Sequence, residues 1–257
     1  MAKLVLGGEL ASPEQILPDV VLIYTAAFQE ELFKILMPQW QPSDPTAMKK
    51  VVVAALGNSQ SGMEVMQLLL HERPDEVRIT PEVVAAAAGN YRSGREVIQL
   101  LLQERPDEVR ITPEVVAATA GNDGSGKEVI QILLQQRPDE IHITCESLSA
   151  MAGNMHLGKD LLEMFLIGGK LDLHLADKYG RTLLSWAALR GNERMLDLVL
   201  TLNNRPSDLV LATLRDKLGC SMIHFAAMGN CVDRIKKSLN IDQYIHLEDN
   251  RCWTALH

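Results

Sequence analysis

Cys145 follows His142 by three residues, at the start of a run of small and apolar residues that reads as a helix. A thiol at a helix N-terminus can have a lowered pKa, which would make Cys145 the chain's nearest approach to a nucleophile. Nothing else gathers around it. Cys220, Cys231 and Cys252 form no C-x-x-C pair, and no histidines follow them at zinc-finger spacing. The other histidines, His71, His156, His174, His224, His246 and His257, are scattered. No G-x-S-x-G, H-E-x-x-H, G-x-G-x-x-G or G-x-x-x-x-G-K-S/T motif occurs. We expect no catalytic residue, no metal site and no cofactor. The four thiols suit a reducing intracellular compartment, the cytoplasm.

Recognition is the better prospect. Blocks 77–108 and 109–140 differ at six positions: Ala87/Thr119, Tyr91/Asp123, Arg92/Gly124, Arg95/Lys127, Leu100/Ile132 and Glu104/Gln136. Three of these lie in or beside one loop. With the flanking copies, one loop position reads Ser59, Tyr91, Asp123, Met155 and the next reads Gln60, Arg92, Gly124, His156. The glycines Gly94, Gly126 and Gly158 stay fixed beside them. Variable chemistry on a fixed scaffold is what a contact edge requires, although drift at exposed loop tips after duplication gives the same pattern. The candidate protein-binding residues are Ser59, Gln60, Tyr91, Arg92, Arg95, Asp123, Lys127, Met155 and His156. A net charge of −8 and 4% aromatics argue against nucleic acid. No apolar run reaches the roughly 20 residues of a membrane span.

The elements beneath these residues follow from a period of 32. Gly-Asn recurs at Gly57, Gly89, Gly121 and Gly153, and Arg-Pro-Asp-Glu recurs from Arg73, Arg105 and Arg137. Each block reads as two helices. Thr80 caps the first, with Pro81 at its first position and Glu82 at its positive end. Gly89-Asn90 ends it, both types tolerating the left-handed conformation. Ala85, Ala86 and Ala88 are small enough for close helix approach. The second helix opens on a capping box, Ser93…Glu96, repeated at Ser61…Glu64 and Ser125…Glu128. Val97, Ile98, Leu100, Leu101 and Leu102 form its apolar stripe, and Pro106 ends it. A unit of this size must bury its apolar face against its neighbours, which predicts a solenoid. Stacked at about 10 Å, the connectors from Arg73 and Arg105 would run arginine and acidic columns side by side. Such columns make either an ion ladder between units or a charged rim facing a partner. The methionines and Trp186 read as core filler.

From Asp177 the pattern changes to Asp177-Lys178-Tyr179-Gly180-Arg181-Thr182-Leu183-Leu184-Ser185-Trp186-Ala187-Ala188, closing on Gly191-Asn192. It resembles the ankyrin repeat, D-x-x-G-x-T-P-L-H-x-A-A-x-x-G, with Leu183 for proline and Ser185 for histidine. Asp216, Gly219, Ile223, His224, Ala226, Ala227 and Asn230 match in a second unit. Asp249, Thr254, Ala255, Leu256 and His257 begin a third, with Cys252 in the glycine's place. At the repeat's histidine position, His224 and His257 are expected to brace the turn. The 32-residue units are similar to shortened ankyrin repeats and resemble those of large fungal ankyrin-array proteins. The resemblance implies an all-α, ankyrin-type helical-repeat solenoid that binds proteins. The expected divisions are 1–15, an N-terminal cap or remnant; 16–47, a degenerate repeat; 48–176, divergent ankyrin-like repeats; and 177–257, ankyrin repeats. The last repeat stops inside a first helix, which predicts a longer parent polypeptide. The alternative is an enzyme or small-molecule binder with converging polar groups in the concave groove.

Overall fold

The computed structural model describes residues 18–42, 46–202, 215–233 and 245–256. Among them are thirteen α-helices and no strand beyond one isolated bridge between Arg215 and Ser221. The chain divides into two compact units, residues 1–110 and 111–257. The expected first division, 1–15, and His257 lie outside the described residues.

The first unit contains α1 (Pro18–Phe28), α2 (Glu30–Leu36), α3 (Ala47–Gly57), α4 (Gly62–Glu72), α5 (Pro81–Gly89) and α6 (Gly94–Glu104). The second contains α7 (Pro113–Gly121), α8 (Gly126–Gln136), α9 (Cys145–Gly153), α10 (Gly158–Ile167), α11 (Leu183–Leu189), α12 (Glu193–Leu202) and α13 (Met222–Met228). Within each unit the first helices of successive blocks pack on one another: α1 on α3 on α5, and α7 on α9 on α11 on α13. The second helices pack on their own partners and on the next second helix, as α4 does on α6 and α10 on α12. This is a helical repeat, and its core lies between neighbouring blocks. No helix among the described residues is long and apolar enough to cross a membrane.

The small-residue stripe is split. Val83, Val84, Ala87 and Ala88 are buried in α5, while Ala85 and Ala86 turn outward half-buried. On α6, Val97, Ile98, Leu101 and Leu102 are buried and Leu100 is half-buried. Thr119, which replaces Ala87 in the next copy, is buried too; its hydroxyl donates to the Val115 carbonyl at 2.7 Å, so the change leaves no orphan group.

The connectors hold the blocks together differently from a ladder of ion pairs. Each arginine pairs inside its own connector: Arg73 with Glu76 at 3.3 Å, Arg105 with Glu108 at 2.9 Å, Arg137 with Glu140 at 2.9 Å. The link between blocks runs from this charged pair to the backbone. Arg105 Nη2 donates to the Pro74 carbonyl at 2.7 Å, and Glu108 Oε2 accepts from the Ile79 amide at 3.1 Å. Glu140 takes the Ile111 amide in the same way, and Arg73 takes the Trp40 carbonyl. Charged groups bind peptide groups at fixed geometry here, which stacked columns of long, solvated side chains do not supply.

Residues 177–256 build each connector around an aspartate. Asp177 Oδ1 accepts from the amides of Tyr179 and Arg181, Asp216 from Leu218 and Cys220, Asp249 from Arg251 and Trp253. The turn requires positive φ at one position, taken by Gly180 (84°), Gly219 (79°) and Cys252 (62°). His224 braces this region as expected. Its Nδ1 lies 2.9 Å from the Ser221 hydroxyl and its Nε2 3.0 Å from the Trp253 carbonyl.

Candidate functional site

The loop residues rest on an asparagine platform. Asn90 is buried. Its Oδ1 accepts from the amides of Arg92 (3.1 Å) and Ser93 (2.9 Å). Its Nδ2 donates back to the preceding block, to the carbonyls of Leu56 (2.6 Å) and Asn58 (3.0 Å). Asn58 bonds Gln60 and Ser61 in its loop and the Ala26 carbonyl behind it. Asn154 bonds Leu157 and the Ala120 carbonyl, and Asn192 bonds Met195 and the carbonyls of Ala152 and Asn154. In its own loop, Asn122 accepts from Gly124 and Ser125.

Two expectations give way to this arrangement. The asparagines that end the first helices are extended rather than left-handed: Asn58 has φ −77°, Asn90 −67°, Asn122 −84° and Asn154 −81°. The carboxamide, held on both sides, sets the conformation. The Ser-x-x-Glu boxes make no cap hydrogen bond at Ser61, Ser93 or Ser125, and the serine's own amide, which the glutamate of such a box would meet, is taken by the asparagine oxygen. The Ser61 and Ser125 hydroxyls accept from Asn58 (2.8 Å) and Asn122 (3.1 Å) instead. Thr80 likewise stands at the N-cap position without a cap bond. The second helix then begins so close to the first that a Cβ on Gly126 would lie 2.5 Å from the Thr119 carbonyl oxygen. That contact explains the fixed glycine.

On this platform the variable residues face solvent. In the first unit Ser59, Gln60, Tyr91, Arg92 and Arg95 are exposed, Tyr91 by 58%. In the second, Asp123, Met155 and His156 are exposed. Lys127 is engaged, its ammonium 2.6 Å from Asp160. The candidates thus fall into two groups, one on each unit, without converging on a pocket.

A second candidate, which sequence reading missed, lies wholly in the second unit. An open groove of about 890 Å³ runs between α9, the turn at 177–181 and α11. Its floor is small: Ser149, Ala150, Gly153 and Gly121. Trp186 is only partly buried and lines one wall, so it is not core filler. The Arg181 guanidinium sits 4.1 Å from the Trp186 ring centroid and 4.8 Å from that of Tyr179, and Arg190 sits 6.0 Å from Trp186. Arg181 is neutralised by Asp177 at 2.8 Å. Burial alone pushes the Asp177 carboxyl up, but the Arg181 and Tyr179 amides and the Arg181 guanidinium together hold it below its ordinary value.

Cys145 lines the same groove with its thiol pushed up, first by burial and then by Glu146 and Asp177. This is the reverse of the lowering that a helix N-terminus can give, because desolvation and nearby carboxylates both oppose the thiolate. The groove therefore offers aromatic faces, cations and a small-residue floor, without an activated nucleophile. No group of His, Cys, Asp and Glu among the described residues is placed to hold a metal.

A family model described as a domain of unknown function (DUF7104) matches four successive stretches, residues 49–66, 68–97, 100–129 and 132–161. These cover less than half of the chain and step along it with the block period, so the chain is similar to that family as a repeat. No curated protein matches the sequence.

Proposed function

We propose that the chain is an ankyrin-type array that binds other proteins and performs no chemistry of its own. The supporting observation is the division of labour within each block. The asparagine and the glycine four places after it are fixed and buried in all four blocks, while the residues one and two places after each asparagine change from Ser-Gln to Tyr-Arg to Asp-Gly to Met-His, all but the half-buried Gly124 being exposed. A scaffold that holds loop backbones constant and varies only their tips is suited to recognition. Tyr91 supplies rigid contact area, and Arg92 and Arg95 supply charge-assisted bonds at an exposed edge. The free thiols fit a reducing compartment, the cytoplasm.

The enzyme reading fares worse on the groove's own chemistry. Its closest titratable pair, Asp177 and Arg181, belongs to a turn whose aspartate-to-amide bonds recur at Asp216 and Asp249, and the carboxylate is occupied by amides. The test exchanges Tyr91-Arg92 for Asp-Gly, the pair found in the next block. Proteins cross-linked to the wild-type chain in cell extract should be lost or reduced about tenfold with the exchanged chain. Unchanged recovery of every partner, with helicity intact, removes this edge from the interaction.

A further inference from the structure

We infer that the groove between α9 and α11 takes an extended, acidic segment of a partner protein, with a carboxylate at Arg190 and an apolar or aromatic side chain on Trp186. This rests on the protein-binding reading but uses none of the loop-edge residues.

The groove exists because of one change in the chain. The connectors Arg73–Thr80, which leads into α5, and Arg105–Thr112, which leads into α7, are identical eight-residue segments. After α10 the chain takes fifteen residues, 168–182, to reach α11. The extra length includes the Asp177 turn, whose Lys178 and Tyr179 line the same groove as Cys145 and Glu146 at the start of α9. The far end of the groove is fixed as well: a Cβ on Gly153 would lie 3.8 Å from Arg190 Nε, so the arginine leans across the end of α9. Nine residues of helix span about 13 Å, the length of about four extended residues.

The charges select the occupant. Asp177 and Arg181 cancel, which leaves Lys178 and Arg190 against Glu146. Arg190 is exposed and has no carboxylate partner among the described residues. In a chain of net charge −8, this is a locally cationic wall. An incoming acidic residue is drawn to Arg190, at the opposite end from Glu146. Its neighbour meets the Trp186 face, and its backbone lies over Ala150 and Ser149, where a bulkier floor would exclude it. The Trp186 indole N–H is buried and has no acceptor among the described residues, and its ring is flanked by Arg181 and Arg190, so the wall offers an incoming segment an unmet donor beside cationic groups. The open mouth suits a continuous chain better than a small molecule, which gains from enclosure.

The test screens the whole 257-residue chain against a positional-scanning library of acetylated, amidated hexapeptides and measures the selected peptides by fluorescence anisotropy. The expected selection is Asp or Glu beside or two places from an aromatic or aliphatic residue. Arg190→Glu should weaken those peptides about tenfold or more and, screened itself, select Lys or Arg at the acidic position. Trp186→Leu should weaken them about tenfold, and Tyr91→Asp with Arg92→Gly should leave them unchanged. Arg190 is exposed, so its variant tests binding without disturbing the core. The inference is overturned if no acidic residue is selected, or if the selected peptides bind Arg190→Glu and Trp186→Leu as they bind the wild type. Loss of binding through the loop exchange alone would overturn the groove and leave the loop edge standing. Loss of partners through Arg190→Glu alone would do the converse.

Discussion

Replacing Asn90 with alanine should destabilise the first unit by about 4 kcal/mol. The carboxamide makes four hydrogen bonds to backbone: it accepts from Arg92 and Ser93 and donates to Leu56 and Asn58. A typical bond contributes about 0.5–1.5 kcal/mol net, and a buried group left unsatisfied costs about 1–3 kcal/mol. Asn90 is 5% exposed, so water reaches only part of what the deletion uncovers, and four bonds at about 1 kcal/mol each give the estimate. Most domains have about 5–15 kcal/mol in total, so the loss is a large fraction. Urea unfolding followed by far-UV circular dichroism measures it, and hydrogen exchange at the Arg92 and Ser93 amides localises it.

Asn90→Asp separates the two sides of the group. It keeps the loop acceptors, loses both donors and turns a carboxylate toward two carbonyl oxygens. Its pKa must rise in the folded state, so the stability it retains is present at acid pH and lost as pH rises through that raised value. A loss within about 0.5 kcal/mol for Asn90→Ala, the cost of an ordinary surface change, would refute the platform as a structural device. So would an Asn90→Asp variant as stable as the wild type at neutral pH.

Two further outcomes follow from the same packing. Gly126→Ala should cost about 1–3 kcal/mol, because its Cβ would meet the Thr119 carbonyl oxygen at 2.5 Å, whereas Gly57→Ala, with nothing within 4 Å, should gain about 0.4–1 kcal/mol; paired thermal melts decide both. The Ile79 amide holds the Glu108 carboxyl below its ordinary 4.5, with burial opposing and Arg105 assisting. The stability this adds is complete above the unfolded value and lost as pH falls through the lowered one. Glu108→Gln keeps an acceptor for Ile79 and removes the charge, so its urea midpoint should fall less than the wild type's between about pH 5 and pH 3.

Periodicity and punctuation made the helices legible. Thr80-Pro81 and Gly89 bracket α5 at its observed limits, and Ser93 and Pro106 bracket α6 within two residues. What holds the blocks together was not legible, because the partners are backbone groups of another block. A carbonyl at Leu56 or Pro74 carries no residue-type signal. Ser93…Glu96 looks like a capping box at any distance from an asparagine, yet in space Asn90 reaches the loop amides first. The groove was hidden for a related reason. It joins residues from α9, a turn more than twenty residues later and α11, and only the lengthened connector brings them together. One local signal was available: Arg181, Trp186 and Arg190 surround a single ring, and the last two stand four apart on one helix face.

The same facts explain how an array can change its contacts while keeping its fold. Two of the links between blocks, the asparagine carboxamide and the Arg-Glu clasp, end on peptide groups, whereas the ion pairs Lys49–Glu82 and Lys127–Asp160 join side chains. Peptide groups do not mutate, so a side chain at 91 or 92 can change without breaking a link, provided that Asn90 and the glycine at 94 remain. Arg78 and the residue at 110 lie outside both links, and Asp75 and Asp107, although repeated, take part in neither. Repetition alone therefore does not mark a structural residue in this chain. The marker is a side chain that reaches the backbone of the block before it. By that measure Asn58, Asn90, Arg105 and Glu108 are structural, while Tyr91 and Arg92 are free to be selected for what they touch.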